Sequence, residues 1–150
     1  MTNSRLNFAK TAPKAFKALI GFDAAARAGL DPALVELVQI RASQLNRCAY
    51  CLHMHTSDAR KAGESEERLH MVAVWQEAGH FFSAKEQAAL ALTEAVTRLA
   101  DRPDPVPDET WDVAAKHFDH AELAALLLGI AIANAVDRLD VPTRRQAATP

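Results

Sequence analysis

Apolar side chains recur at three- and four-residue intervals along most of the chain, the spacing of helices that bury one face. Thr11 and Pro13 predict a first helix start, with Phe16, Leu19 and Ile20 on one face and Gly29 as the stop. Asp31 followed by Pro32 predicts a second start, and Leu34, Val35, Val38, Ala42 and Leu45 mark a buried face up to Asn46. A third helix is expected from about Arg47 or Cys48 to Gly63. Ser65 caps a fourth, carrying Leu69, Val72 and Trp75 and stopping near Gly79. The Ser83 to Glu86 capping box opens a helix with Ala89, Leu92, Val96 and Leu99. Three prolines between 101 and 107 forbid a continuous helix there and predict a loop. Asp108 opens a short helix with Trp111 and Ala115, and a second capping box, Asp119 to Glu122, leads a last helix to about Leu139. No segment alternates as a strand does. The expectation is an all-α single domain over 1–150: an N-terminal helix at about 12–28, a core at about 32–139 and a frayed tail at 141–150.

The run from Leu123 to Ala133 is apolar on nearly every side. It is too short to span a bilayer, so it reads as a core or interface helix, and an all-round apolar helix in so small a domain points to a homo-oligomer. Composition adds exclusions. Hydrophobic residues make up 49% and charged residues 24% of 150, with a formal net charge of −2 and no basic cluster. That argues against a nucleic-acid surface or a membrane anchor. The first residues lack the apolar core of a signal peptide, so the expected compartment is the cytoplasm.

Candidate chemistry concentrates in one stretch, RCAYCLHMHTSDARKAG, residues 47–63. It holds both cysteines and two of the six histidines. On a helix, Cys48 and Cys51 are one turn apart and His55 follows Cys51 by four, so all three share a face. The helix begins at the first cysteine, where free backbone N–H groups and the helix dipole favour a thiolate. A reducing cytoplasm would keep such a pair reactive rather than structural. Haem attachment would need histidine where Leu52 stands. Zinc could use Cys48, Cys51 and His55 or His53, but His70, His80, His117 and His120 offer no second pair at ligand spacing. A thioredoxin domain lacks its βαβ pattern here. Two buried cysteines acting as small hydrophobes stay open.

Glu36 is the other notable residue, a carboxylate among Val35, Leu37 and Val38. Glu36, Cys48, Cys51 and His55 together spell E-x11-C-x2-C-x3-H, which resembles the core motif of the AhpD-like alkylhydroperoxidases of the carboxymuconolactone decarboxylase superfamily. The stretch AIANAVDRL, 131–139, resembles that family's C-terminal helix. The resemblance implies an all-α AhpD-like bundle of six to eight helices, assembled as a homo-oligomer with a hexamer favoured. It implies a thiol peroxidase in which Cys51 attacks the hydroperoxide and Cys48 resolves the product as a disulfide. Glu36 would be the base, acting through a water, and His55 part of the proton relay. An external dithiol, a lipoyl or thioredoxin-like protein, would be the reductant, with no cofactor or metal. Tyr50 stands between the cysteines where the best-known branch has histidine, and His53 is expected to be a bystander. Lactone decarboxylases of the family generally lack the cysteine pair. A non-catalytic redox sensor or disulfide-exchange protein remains the alternative, with a metal-binding module behind it. The apolar surroundings of Glu36 predict a pKa raised toward neutrality by desolvation.

Overall fold

The computed structural model describes residues 4–147, and among them the chain is all-helical. The helices are α1 (Phe8–Thr11), α2 (Pro13–Arg27), α3 (Pro32–Asn46), α4 (Ala49–Lys61), α5 (Glu66–Met71), α6 (Ala84–Thr97), α7 (Asp108–His117) and α8 (His120–Thr143). Several starts have a clear chemical cause. Asp31 Oδ2 accepts the Leu34 N–H at 3.3 Å to open α3, with Pro32 beside it. Ser83 with Glu86 and Asp119 with Glu122 form complete capping boxes at α6 and α8. Arg47, in the left-handed region at φ 58°, closes α3 and turns the chain into α4.

Helix α3 runs through the middle and packs against α4, α6 and α8. Its residues 34–40 are all buried. One side joins Leu34 and Val38 to Leu92, Phe118, Leu126 and Ile130; the other joins Leu37 and Ile40 to Leu69, Val72, Trp75 and Leu90. Two hydrophobic clusters therefore share one central helix.

Several expected boundaries move. α5 stops at Met71, and the chain tightens into 3₁₀ turns at Val72–Val74 and Gly79–Phe81 instead of continuing to Gly79. The tightening turns Trp75 inward, where its Nε1 donates to Glu94 Oε1 at 2.8 Å. α6 ends at Thr97, so Leu99 lies in a 3₁₀ turn and is half exposed. In α7 the buried pair is Ala114 and Phe118, whereas Trp111 and Ala115 face outward. At the other end, α8 outruns Leu139 and reaches Thr143. Pro142 is tolerated in that last turn, and the N–H groups of Arg144 and Arg145 return to the Val141 and Asp140 carbonyls. The segment 141–147 is helical as far as Thr143, whose carbonyl accepts the Arg5 N–H at 2.8 Å. Residues 148–150 of the expected tail lie outside the described residues.

Within one chain α8 is not buried all round. Leu128 is 46% exposed, with Ala124 and Ala131 exposed on the same face. No helix among the described residues is long and apolar enough to cross a membrane.

Gly29, between α2 and α3, is required by close approach. A Cβ built there would come within 2.6 Å of the Ala125 Cβ on α8. Gly29→Ala should therefore destabilise the protein by ~1–3 kcal/mol in urea unfolding, as overpacking does. Adding Ala125→Gly should restore part of that loss; equal stability of wild type and Gly29→Ala would refute the packing argument.

Candidate functional site: a buried cysteine pair beside a cavity

Cys48 is the N-cap of α4: its Sγ accepts the Cys51 N–H at 3.3 Å, and α4 begins at Ala49. The two cysteines are bridged as a disulfide, with Cα atoms 5.4 Å apart. Their placement at a helix N-terminus is the one the spacing predicts. Both are almost wholly buried, at 2% and 1% exposure.

Cys51 reaches a cavity of about 290 Å³ between α2, α4, α8 and the segment before α1. Phe16, Leu19 and Ile20 of α2 and Val136 and Leu139 of α8 give it apolar walls. Its lining also includes Cys51, His55, Arg27, Asp137, Asp140 and Arg145. The face of α2 that the sequence marks as buried thus closes a cavity, which explains why Ile20 remains 54% exposed.

Glu36 and His55, nineteen residues apart, meet directly. His55 Nδ1 lies 2.9 Å from Glu36 Oε2, and Arg27 Nη1 donates to Glu36 Oε1 at 2.7 Å. Arg27 also donates through Nε to Asp23 Oδ2 at 2.8 Å. Burial pushes the Glu36 pKa up, as the sequence suggests. The hydrogen bonds and charges of His55 and Arg27 outweigh it and hold the carboxyl below its ordinary value. The expectation of a raised pKa is therefore corrected: α2 supplies a guanidinium that the apolar pattern around Glu36 does not reveal. An ionised Glu36 makes His55 Nδ1 the donor, which leaves Nε2 as the ring atom able to exchange a proton. Among the described residues Nε2 has no hydrogen-bond partner, and the ring lines the cavity.

Two more carboxylates, one turn apart on α8, approach the cysteines. Asp137 accepts from Asn46 Nδ2 at 2.7 Å and Ser43 Oγ at 3.4 Å. Asp140 Oδ2 lies 3.5 Å from Cys51 Sγ, and its Oδ1 faces Arg145 Nη1 at 3.4 Å. Burial raises the pKa of both. Neither was singled out from sequence; the one available signal is that both fall at core positions of an otherwise apolar helix face. Tyr50 is half-buried, and its hydroxyl accepts from Arg145 Nη2 at 2.8 Å while the guanidinium stacks on the ring. His53 is exposed. For a metal, the two sulfurs and an Asp137 oxygen lie within 4.8 Å of one another. Bridged sulfurs are not thiolate donors, and the set is one donor short of a closed zinc site.

The model of the carboxymuconolactone decarboxylase family matches residues 13–95. The chain belongs to that family. The matched segment contains Glu36, Cys48, Cys51 and His55 and ends before α8, so Asp137 and Asp140 lie beyond it. The chain is 34% identical to the uncharacterised protein YdfG of Bacillus subtilis over 148 residues, 98% of this chain and 99% of YdfG. A crystal structure of an Agrobacterium tumefaciens protein of unknown function, named as a candidate antioxidant defence protein AhpD, superposes with a TM-score of 0.93. It is 31% identical and covers 98% of this chain and 99% of its own. The fold is therefore the AhpD-like helical fold. The debrominase Bmp8, at 18% identity and a TM-score of 0.76 over 91% of this chain and 73% of its own, shares the fold.

The Glu36 ion pairs couple stability to pH. A carboxyl held below its unfolded value contributes stability above that value and loses it as pH falls through the folded pKa. Glu36→Gln should therefore be less stable than wild type at neutral pH. The gap should narrow as pH drops below about 4.5, the ordinary glutamate value. Urea titrations at neutral and acid pH read this directly, and a pH-independent gap would contradict it.

Proposed function

We propose that the protein is a thiol-dependent peroxidase that reduces hydroperoxides through Cys48 and Cys51. The observation that carries this reading is a cysteine pair bridged at a helix N-terminus, with Cys51 lining a cavity that has both apolar and polar side chains in its walls. Backbone N–H groups there favour the thiolate that attack requires. The apolar side chains suit the carbon part of an organic hydroperoxide, and the polar ones suit its oxygens. Cys51, which faces the cavity, is the attacking thiol. Cys48, one helical turn away and off the cavity, is the resolving one.

In the reaction the Cys51 thiolate attacks the terminal peroxide oxygen, the O–O bond breaks, and Cys51 becomes a sulfenic acid. Cys48 then displaces water and forms the disulfide. An external dithiol reduces it, itself becoming a disulfide. Glu36 and His55 serve as the proton relay. Glu36, with Arg27 on one oxygen and His55 on the other, stays ionised and orients His55; His55 Nε2 exchanges protons at the cavity. This gives Glu36 an indirect part in the base function. The redox-sensor alternative uses the same bridge without turnover, so steady peroxide consumption separates the two.

The test is an assay of the reduced protein with hydrogen peroxide and organic hydroperoxides, using dihydrolipoamide as reductant. Cys51→Ser should abolish consumption. Cys48→Ser should complete one turnover and accumulate a sulfenic acid on Cys51, detectable with a dimedone-type probe. Normal steady turnover by Cys48→Ser would remove the resolving role, and no consumption by wild type with any of the peroxides would remove the peroxidase.

A homo-oligomer, with a hexamer favoured, completes the proposal. It is supported by the exposed apolar face of α8 around Leu128. Light scattering at micromolar concentration should give a multiple of the 16.3 kDa chain mass, and a monomer mass would refute assembly.

A further inference from the structure

The Glu36 and His55 pair does not hydrogen-bond to the sulfur it is meant to serve. Among the described residues, the side chain that comes within hydrogen-bonding distance of Cys51 Sγ is Asp140, at 3.5 Å from its Oδ2. Both are buried, at 1% and 5% exposure, and both line the cavity. Asp140 comes from α8, 89 residues away in sequence, so the contact is made by the fold alone.

We propose that Asp140 is a catalytic residue that takes the Cys51 thiol proton and returns it to the departing oxygen of the peroxide. The proposal rests on the thiol-peroxidase reading above and assigns the peroxide step to Asp140, leaving the Glu36–His55 relay to carry the Cys48 thiol proton to the hydroxide displaced as the disulfide closes. In the reduced protein the Cys51 thiol donates to the Asp140 carboxylate. As the sulfur attacks, its proton passes to Asp140 Oδ2. The S–O bond forms and the O–O bond breaks, so the sulfur is oxidised to a sulfenic acid and the peroxide reduced. The alkoxide that leaves takes the proton from Asp140, which returns to the carboxylate. The net change is thiol plus hydroperoxide to sulfenic acid plus alcohol, with no proton gained or lost.

The surroundings fit an acid–base group. Arg145 faces Oδ1 at 3.4 Å, and Arg145 is itself held by the hydroxyl and ring of Tyr50. Asp137 stands one turn earlier on α8, and the charge of Asp140 acts against ionisation of Asp137. His55 lies near enough for its charge to bear on Asp137, and Arg27 faces the same cavity from α2. Burial disfavours the Asp140 carboxylate, so it holds a proton more readily than an exposed aspartate. The remaining cation, Arg145, keeps Oδ1 occupied and leaves Oδ2 toward the sulfur.

The experiment compares two reagents on Cys51 in the Cys48→Ser background, where it is the single thiol. A peroxide needs a proton on its leaving oxygen; iodoacetamide releases iodide and does not. Asp140→Asn should slow oxidation of Cys51 by cumene hydroperoxide by ~10²–10⁴-fold, the range for loss of a general acid–base group. It should slow iodoacetamide alkylation far less, because that reagent shares the loss of the base and not the loss of the acid. Parallel losses with both reagents, or an unchanged peroxide rate, would overturn the proposal. Arg145→Gln, at a partly exposed position, tests the same assignment by removing the cation that faces Asp140 Oδ1. Its loss of positive charge should shift the pH profile of peroxide oxidation upward, and the shift should shrink when Asp140 is asparagine. A profile that superimposes on the parent overturns the assignment as well. Absence of any peroxide-dependent sulfenic acid in the Cys48→Ser parent would instead locate the failure in the peroxidase reading.

Discussion

Helix α3 is surrounded by α4, α6 and α8, and yet it carries Glu36, Gln39, Arg41, Ser43 and Asn46. A buried polar group without a partner costs about 1–3 kcal/mol. Each of these side chains must therefore be answered from a neighbouring helix. Glu36 is answered by Arg27 and His55, Ser43 by Asp137, and Asn46 by Asp137 and Asn134. Gln39 reaches the Gly129 carbonyl at 3.5 Å. Arg41 pairs with Glu94, which also accepts from Trp75 and Gln76. Among the described residues no fully buried side-chain nitrogen or oxygen is left without a partner, and the unpartnered His55 Nε2 belongs to a ring that borders the cavity. The central helix thus sets where α2, α4 and α8 sit, and the cavity is the space between those three.

The same constraint accounts for what was legible in the sequence. Helix starts depend on local chemistry, and Asp31, Ser65, Ser83 and Asp119 each cap the helix expected of them. The cysteine helix was legible because N-cap position and one-turn spacing are local too. Helix ends were less so. α5 stops early because Trp75 finds Glu94, and α8 runs on because its last turn is tied to the N-terminal segment; both are tertiary contacts with no local sign.

Glu36 shows the same limit in electrostatics. Its neighbours along the chain are apolar, which argues for a raised pKa. Its neighbours in space are a guanidinium nine residues earlier and an imidazole nineteen residues later. Direction reverses because two charge-assisted hydrogen bonds outweigh partial desolvation. The residue was identifiable from the motif; its protonation state required the fold.

Asp137 and Asp140 were the least legible. Read alone, VDRLDVPTRR looks like the solvated end of a helix, and its aspartates look paired with nearby arginines. Arg138 is indeed exposed, but the two aspartates fall at i and i+3, on the face that meets α4. Two opposing influences then act on the cysteines. The N-terminus of α4 favours the thiolate, while the nearby carboxylates, when ionised, oppose it. A helix end alone would leave the sulfur deprotonated but would give the leaving oxygen no proton. A carboxylate alone would hold the thiol protonated. Acting together, the two oppose each other at the sulfur, and this opposition is what the proton exchange proposed between Cys51 and Asp140 would draw on.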